Sequence, residues 1–255
     1  MRALLDPYFS EYLLRVGDGT EESLEGDLIR IPEELVIPYT TEGESKQRLI
    51  ESIFPSLQLN GGLSEYIISR AILSTRNEYV DELNQQMIDI FSGDEMIYYS
   101  FDKAVDDTAN HYPTEFLNSL TPSGLPPHLL KLKLGCPIIL LWNLDPSNGL
   151  CNSTRLIYRN FQNNAIDAGI AVEQHAGKII FLLRILMCPS DDEMFSFKFT
   201  QKQFSIRLSF AMIINKAKDK QFLTSASIYL SMFFRTASYM SHCQEVRHDI
   251  QQKSC

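Results

Sequence analysis

The sequence predicts an α/β protein with a β-rich second part, on two local patterns and one bulk property. Residues 71–73 form a short apolar run, residues 74–77 a polar turn, and the following residues repeat apolar side chains at helical spacing. Residues 145–185 instead alternate short apolar segments with turn residues, a pattern typical of a small β-barrel. With 255 residues, 44% of them hydrophobic, the chain is long enough for one or two domains with a buried core.

The first 60 residues predict two short helices joined by polar and extended sequence. Asp6 is a good N-cap before a proline, and the helix that starts there ends at Gly17. Residues 28–37 predict a short strand or an extended segment, and residues 46–54 a second helix. The sequence Asn-Gly-Gly at 60–62 is a natural boundary. The inward face of the second helix is predicted to hold Leu49, Ile50 and Ile53.

The strand-turn-helix unit from residue 71 to residue 90 contains the first candidate binding site along the chain. Asn77 is predicted as the N-cap of the helix. A polar turn at a helix N-terminus presents residues to phosphates in many α/β proteins, although the same geometry also occurs without any ligand, and Asn77 is then simply a cap. The predicted inward face of the helix holds Val80, Leu83, Met87 and Ile90.

Further strands are predicted along the rest of the chain. Residues 131–134 alternate as an exposed strand does, and residues 138–142 form a buried strand that ends at Trp142, the only tryptophan. Trp142 is predicted as a core residue, with stacking on a nucleic-acid base as the alternative. Residues 204–210 predict a strand that leads into a helix over 211–220. Two more strands are predicted at 165–172 and 178–185.

The charge distribution indicates where a polyanion would bind, and the cysteines indicate the redox compartment. Residues 1–120 carry 8 basic against 23 acidic side chains, and residues 121–255 carry 15 against 9. A polyanion would therefore bind the C-terminal half, unless the asymmetry reflects only an acidic, solvated face at one end. The five cysteines are scattered without C-x-x-C spacing, which favours a reducing intracellular compartment. The longest apolar run, residues 137–142, is far too short to span a bilayer.

Several catalytic motifs are absent from the sequence. The phosphate-binding loop G-x-x-x-x-G-K-[ST] fails at Gly177-Lys178, because Val172 and Ile179 stand where a glycine and a hydroxyl are required. Gly17 and Gly19 begin a G-x-G-x-x-G pattern that Glu22 ends. No metal site and no Ser/His/Asp arrangement can be argued from spacing.

Four stretches resemble one family closely. They read L-L-R-V-G-D-G-T followed by I-R-I-P-E-E-L-V-I-P (residues 13–38), R-A-I-L-S-T-R-N-E-Y-V-D-E-L-N (70–84), T-E-F-L-N-S-L-T-P-S-G-L-P-P-H through L-D-P-S-N-G-L-C-N-S-T-R-L (114–156), and F-S-I-R-L-S-F-A-M-I-I-N-K (204–216). This sequence is similar to that of the eukaryotic petite-integration-frequency (PIF-type) DNA helicases, in particular the group carried by Helitron transposons.

The resemblance implies a RecA-like second helicase lobe with an inserted small β-barrel, the Src-homology-type 2B insert, incomplete at the C-terminus. Residues 1–60 would be a helical and extended segment that continues from a missing first motor lobe. The RecA-like lobe would comprise residues 61–146 and 204–230, and the barrel residues 147–203. Residues 231–255 would be a divergent tail.

The resemblance also assigns candidate site residues. Arg76 and Asn77 match the turn of helicase motif IV, near the nucleotide. Asn215 and Lys216 match the start of motif V, near the DNA backbone, but the family's continuation S-Q-G-Q-T is replaced here by A-K-D-K-Q. Basic side chains with interleaved phenylalanines extend the predicted DNA contact over residues 197–220. The predicted DNA-binding set is Asn215, Lys216, Lys218, Lys202 and Arg207, and no catalytic or metal-binding residue is predicted.

The family activity is ATP-dependent, 5′-to-3′ DNA unwinding in repair, recombination, telomere maintenance or transposon movement, in the nucleus. Because the phosphate loop and the arginine finger have no counterpart in this sequence, we expect the chain alone to bind single-stranded DNA without hydrolysing ATP. ATP and Mg²⁺ would belong to the intact family, and a separate chain could supply the first motor lobe. Two alternatives stay open: a non-functional transposon-derived relic, and one half of a split helicase.

Overall fold

A computed structural model describes residues 7–22, 28–29, 31–33, 36–105, 111–122, 124–162, 164–171, 176–189 and 197–217. The chain divides into two compact units, one of residues 1–45 with 231–255 and one of residues 46–230. The first unit contains helix α1 (Pro7–Gly17), which begins and ends as the sequence predicts. Arg15 closes the turn after this helix, because its Nε donates to Glu21 Oε2 at 2.7 Å.

Three more described helices lie between α1 and the first strand. Helix α2 (Glu42–Ile53) begins four residues before the predicted start, and its predicted inward residues Leu49, Ile50 and Ile53 are buried. Helices α3 (Leu57–Asn60) and α4 (Ser64–Ile68) follow, separated by a tight turn at the Asn-Gly-Gly sequence.

The predicted strand-turn-helix unit is present, with two local corrections. It consists of strand β1 (Ile72–Ser74) and helix α5 (Asn77–Ile90). Arg76, with extended φ and ψ of −120° and 135°, is the N-cap, so the prediction that Asn77 caps the helix was wrong by one residue. Ile90 is 39% exposed because it lies in the last turn and points away from the core, whereas Ile88 is buried in its place.

The remaining elements are mostly strands. Their bounds are β2 (Glu95–Tyr99), β3 (Phe101–Ala104), α6 (Thr114–Ser119), β4 (Leu129–Lys133), β5 (Pro137–Leu140), β6 (Arg155–Phe161), β7 (Ala165–Ile170), β8 (Ile179–Leu183), β9 (Ile185–Met187), β10 (Phe199–Gln203), β11 (Ile206–Leu208), β12 (Ala211–Ile213) and α7 (Ile214–Ala217).

These strands form four sheets within the described residues. Five antiparallel strands in the order β11-β5-β6-β7-β8 make the largest sheet, and β3-β10-β9 and β2-β4 make two smaller antiparallel sheets. Strands β1 and β12 make a parallel pair. The α/β class with a β-rich second part is thereby confirmed.

The helix predicted over residues 211–220 was wrong at its start, because residues 211–213 form strand β12. The apolar run A-M-I-I is too short for its periodicity to distinguish a buried strand from a helix. Its partner decides the outcome: Ala211, Met212 and Ile213 stand in parallel register with Ile72, Leu73 and Ser74. Helix α7 begins only at Ile214.

Trp142 was also predicted wrongly, since its side chain is 36% exposed and does not belong to the buried core. Strand β5 ends at Leu140, so Trp142 follows the strand at the surface. Its indole Nε1 donates a hydrogen bond to the Gly124 carbonyl oxygen at 3.2 Å.

The core beneath β1 and β12 contains a group of phenylalanines in edge contact. The ring of Phe210 lies 6.1 Å from that of Phe54 and 5.4 Å from that of Phe91, and all three are almost fully buried. Gly61 approaches the same group closely. A Cβ on Gly61 would lie 2.6 Å from Phe91 Cε2 and 2.7 Å from the Leu57 carbonyl oxygen, which only glycine avoids.

The Gly61→Ala substitution is therefore expected to lower the free energy of unfolding by about 1–3 kcal/mol, the usual cost of overpacking a core. Gly62→Ala is the matched control, because a Cβ there would meet no atom within 4 Å; its effect should stay within about 0.5 kcal/mol. Urea unfolding followed by circular dichroism measures both. Equal effects of the two substitutions would contradict the close approach to Phe91.

Candidate nucleic-acid and nucleotide interface

The parallel pairing of β1 and β12 brings the two predicted groups of site residues to one edge of the fold. Ser74 ends β1 and stands opposite Ile213, which ends β12. Because parallel strands share their carboxyl edge, Arg76 and Asn77 after β1 and Asn215 and Lys216 after β12 follow the same edge. Ligands of open α/β sheets bind outside such carboxyl ends.

The turn after β1 is fixed by its own side chains. The backbone N–H of Arg76 donates to Ser74 Oγ at 3.3 Å. The Arg76 guanidinium lies 3.1 Å from Glu78 Oε2 and 5.5 Å from the ring centroid of Tyr79. Arg76 and Asn77 are both exposed, so both side chains are accessible to a ligand.

Lys216, on the first turn after β12, is partly buried, whereas its neighbour Asn215 is exposed. Burial lowers the pKa of Lys216, and the positive charge of Arg207 lowers it further. A partly desolvated ammonium next to a second cation is stabilised by an anion. This pair therefore suits phosphate contact better than an isolated surface lysine does.

Arg207, on β11, joins this edge to helix α5. Its Nη1 lies 3.4 Å from Asp81 Oδ1, and its Nη2 donates to the Leu125 carbonyl oxygen at 3.1 Å. Its buried Nε has no hydrogen-bond partner within the described residues. The side chain is thus held in place while one donor stays unused.

Lys202, another predicted DNA-binding residue, is not brought to this edge. Lys202 lies on β10 in the three-stranded sheet, in register with Phe101 and Leu186 on either side, and both of these apolar neighbours are more than 60% exposed. Lys218 lies outside the described residues. Phe199 is 2% exposed, so the predicted interleaving of accessible phenylalanines fails there, whereas the burial of Phe204 and Phe210 is as predicted.

Asn84 is a structural residue of this region that the sequence analysis missed. Its Nδ2 donates to the Ala211 carbonyl oxygen at 3.0 Å, and its Oδ1 accepts from the Ala211 N–H at 2.9 Å. The amide thus binds both backbone groups of the first residue of β12 from helix α5. A polar residue between the inward positions Leu83 and Met87 was the available signal, since a buried amide needs partners.

A buried Ser/His/Asp cluster was missed as well. Asp102 Oδ2 accepts from Ser100 Oγ at 2.8 Å and lies 3.0 Å from His128 Nδ1, which is itself 2.7 Å from Ser100 Oγ. A catalytic relay requires the serine and the carboxylate on different ring nitrogens. Here both meet Nδ1, so the geometry joins strands and is not that of a nucleophile.

The part of the chain that the structure describes holds no group of three or more His, Cys, Asp or Glu side chains that could bind a metal ion. None of its helices combines the length and the apolar character of a membrane-crossing segment.

The Asn84→Ala substitution is expected to lower the free energy of unfolding by about 2–4 kcal/mol, because it leaves the N–H and the carbonyl of Ala211 unpaired in a buried position. Gln85→Ala is the control on the same helix, since the exposed Gln85 amide bonds only to Asp89; its cost should stay below about 0.5 kcal/mol. Denaturant unfolding measures both. A small effect of Asn84→Ala would show that β12 does not depend on this amide.

The Arg207→Gln substitution is expected to raise the pKa of Lys216, because it removes the nearby positive charge while burial remains. Arg76→Gln should leave that pKa unchanged. NMR titration of ¹³C-methylated lysines measures the change. Since the folded pKa of Lys216 lies below the unfolded value of about 10.4, stability should rise as pH increases between the two values, and this dependence should weaken in Arg207→Gln.

A family model and the solved structures of DNA helicases are similar to this chain in sequence or fold. The family model of the Pif1 DNA helicase 2B domain matches residues 115–161. The crystal structure of Pif1 helicase from Candida albicans is 15% identical, with a TM-score of 0.51, over 87% of this chain and 47% of that one. Bacteroides Pif1 bound to single-stranded DNA is 17% identical, with a TM-score of 0.49, over 83% and 40%.

The chain thus spans less than half the length of these solved helicases. No curated protein sequence matches it. The matched range 115–161 starts before the predicted insert of residues 147–203 and ends inside it, and the predicted domain boundaries stay predictions. The 2B-domain match and the fold shared with the Candida albicans Pif1 helicase agree with the resemblance to PIF-type helicases seen in the sequence.

Proposed function

We propose that the chain acts as the second motor lobe and 2B portion of a PIF-type DNA helicase and contacts single-stranded DNA. The observation that carries the proposal is the parallel pairing of β1 with β12. This pairing brings the turn that bears Arg76 and Asn77 to the same edge as Asn215 and Lys216. Cations and amides at the carboxyl edge of parallel strands are suited to phosphate groups.

In this proposal the chain itself contacts DNA, whereas ATP would be held by residues that its sequence does not contain. A bound ATP with Mg²⁺ would supply the energy for unwinding, but the sequence contains no G-x-x-x-x-G-K-[ST] loop to hold it. Arg76 and Lys216 would contribute positive charge, and Asn77 and Asn215 hydrogen-bond donors. ATP hydrolysis would therefore require a polypeptide that carries the phosphate loop.

Single-stranded DNA is the proposed ligand of the chain itself. The Bacteroides relative is described as bound to single-stranded DNA. In this chain Lys202 stands between the exposed Phe101 and Leu186, so one cation is flanked by apolar surface. A lysine contacts phosphate and a neighbouring aromatic ring stacks on a base, which is how sequence-independent binding of single strands is built.

The biological setting belongs to the same proposal. It comprises 5′-to-3′ unwinding in DNA repair, recombination or telomere maintenance, a transposon origin of the Helitron type, and a nuclear location. The alternatives are a relic without function and one half of a split enzyme, and the following experiment separates them.

Fluorescence anisotropy of the full chain with labelled single-stranded DNA is expected to show binding that weakens as salt increases, because phosphate contacts release counterions. Replacing one contacting lysine, as in Lys202→Gln or Lys216→Gln, should reduce the slope of log K against log salt by about 0.7. Lys131→Gln is the control, since Lys131 lies 2.8 Å from Asp89 and 3.0 Å from Glu95 and its charge is already balanced.

No binding at low salt by a folded sample would overturn the DNA-binding proposal and leave the relic. Binding that is unchanged in both lysine variants would place the DNA elsewhere on the chain. ATPase activity that arises only on addition of a chain with a phosphate loop would identify the split enzyme.

A further inference from the structure

Arg155 is a buried cation to which the proposed function gives no role. It is the first residue of β6, and its side chain is among the most deeply buried, with only 1% of the residue exposed. Its Nη1 donates to the Ile68 carbonyl oxygen at 2.9 Å, and its Nη2 to the Ser209 carbonyl oxygen at 2.9 Å. Its Nε donates to Ser209 Oγ at 3.3 Å.

The acceptors of these bonds lie where the chain enters the two parallel strands. Ile68 is the last residue of α4, shortly before β1, and Ser209 lies two residues before Ala211, the first residue of β12. Both strands then run to the edge that bears the candidate site. One guanidinium therefore holds the starts of both strands.

The backbone of Arg155 belongs to the five-stranded sheet. It stands in register with Ile139 on β5, and its carbonyl oxygen accepts from the Ala171 N–H at 3.0 Å. The side chain thus connects that sheet to the β1 and β12 pair. A planar guanidinium with several fixed donors is suited to binding two backbone carbonyls at once.

Energetics favour a geometric role for this residue over a stabilising one. Burial lowers the pKa of Arg155 to about 9, which reflects the cost of removing the cation from water. Replacement of buried charged groups by apolar residues of similar volume is often neutral or stabilising. The hydrogen bonds fix where three segments of chain lie, and an apolar residue cannot do so.

We infer that Arg155 is a positioning residue: it fixes the starts of β1 and β12 against the five-stranded sheet and so sets the geometry of the residues that follow both strands. The inference rests on the proposed function only for what the site binds. A displacement of the five-stranded sheet would move both strands together, so Arg155 couples that sheet to the site in addition to Arg207 on β11.

The test measures the titration of Lys216 in the free, full-length chain carrying Arg155→Met or Arg155→Lys. The resonance of ¹³C-methylated Lys216 is assigned by its loss in Lys216→Arg. In a folded Arg155→Met variant, we expect the pKa of Lys216 to rise towards the ordinary lysine value of about 10.4, because β12 shifts from its buried place beside Arg207. Arg155→Lys, with one donor group, should restore the wild-type titration only in part.

If Arg155→Met is stable and the pKa of Lys216 is unchanged, Arg155 only fills space in the core, and the inference is overturned. Should that variant not fold, Ser209→Ala decides, because it removes only the Oγ acceptor of the Arg155 Nε. It should shift Lys216 in the same direction by a smaller amount, and no shift would overturn the inference.

Ser205→Ala is the matched control, since its buried Oγ has no hydrogen-bond partner in the described structure. It should leave Lys216 unchanged, and a shift equal to that of Ser209→Ala would also overturn the inference. DNA is absent from these titrations. A chain that fails to bind DNA can therefore still show the Arg155 effect, and the two proposals fail separately.

Discussion

The parallel contact between β1 and β12 is the constraint on which the rest of the fold depends. The two strands come from distant parts of the sequence, and Asn84 on α5 and its hydrogen-bond partner Ala211 on β12 are separated by 127 residues. In the described part of the chain, α5, α6 and ten further strands lie between β1 and β12. Closing so long a loop is opposed by chain entropy, so the pair needs strong, specific partners.

Those partners act on both sides of the strand pair. Asn84 satisfies the backbone of Ala211 from helix α5, and the Ile72 N–H donates to the Phe210 carbonyl oxygen at 2.9 Å. Phe210 then fills the space between Phe54 and Phe91. Backbone, amide and aromatic contacts thus all converge on the residues just before β12, and a single buried guanidinium, that of Arg155, joins the same place to the five-stranded sheet.

The sequence predicted most of the local elements because their information is local. Helix α1, the inward face of α2 and the unit from β1 to α5 follow from apolar periodicity. Periodicity could not predict that residues 211–213 form a strand, since a four-residue apolar run suits a strand and a helix equally and only the distant β1 decides between them. Asn84 and Arg155 were not predicted for the same reason, because their hydrogen-bond partners lie far away in the sequence.

The two groups of site residues differ in how far the sequence could define them. The resemblance named Arg76, Asn77, Asn215 and Lys216 only as candidates. The charge environment of Lys216 comes from Arg207 on a third strand, which no local pattern contains. A cation that is already partly desolvated has lost some hydration before a phosphate arrives, so it gains more from the phosphate than a fully hydrated lysine does. Where the resemblance implies S-Q-G-Q after Lys216, this chain has A-K-D-K, which lacks the glycine at which backbone could approach phosphate closely and adds charged side chains. Under the proposed function, the Arg207 and Lys216 side chains rather than backbone amides would provide the contact at this edge, which predicts DNA binding that weakens as salt increases.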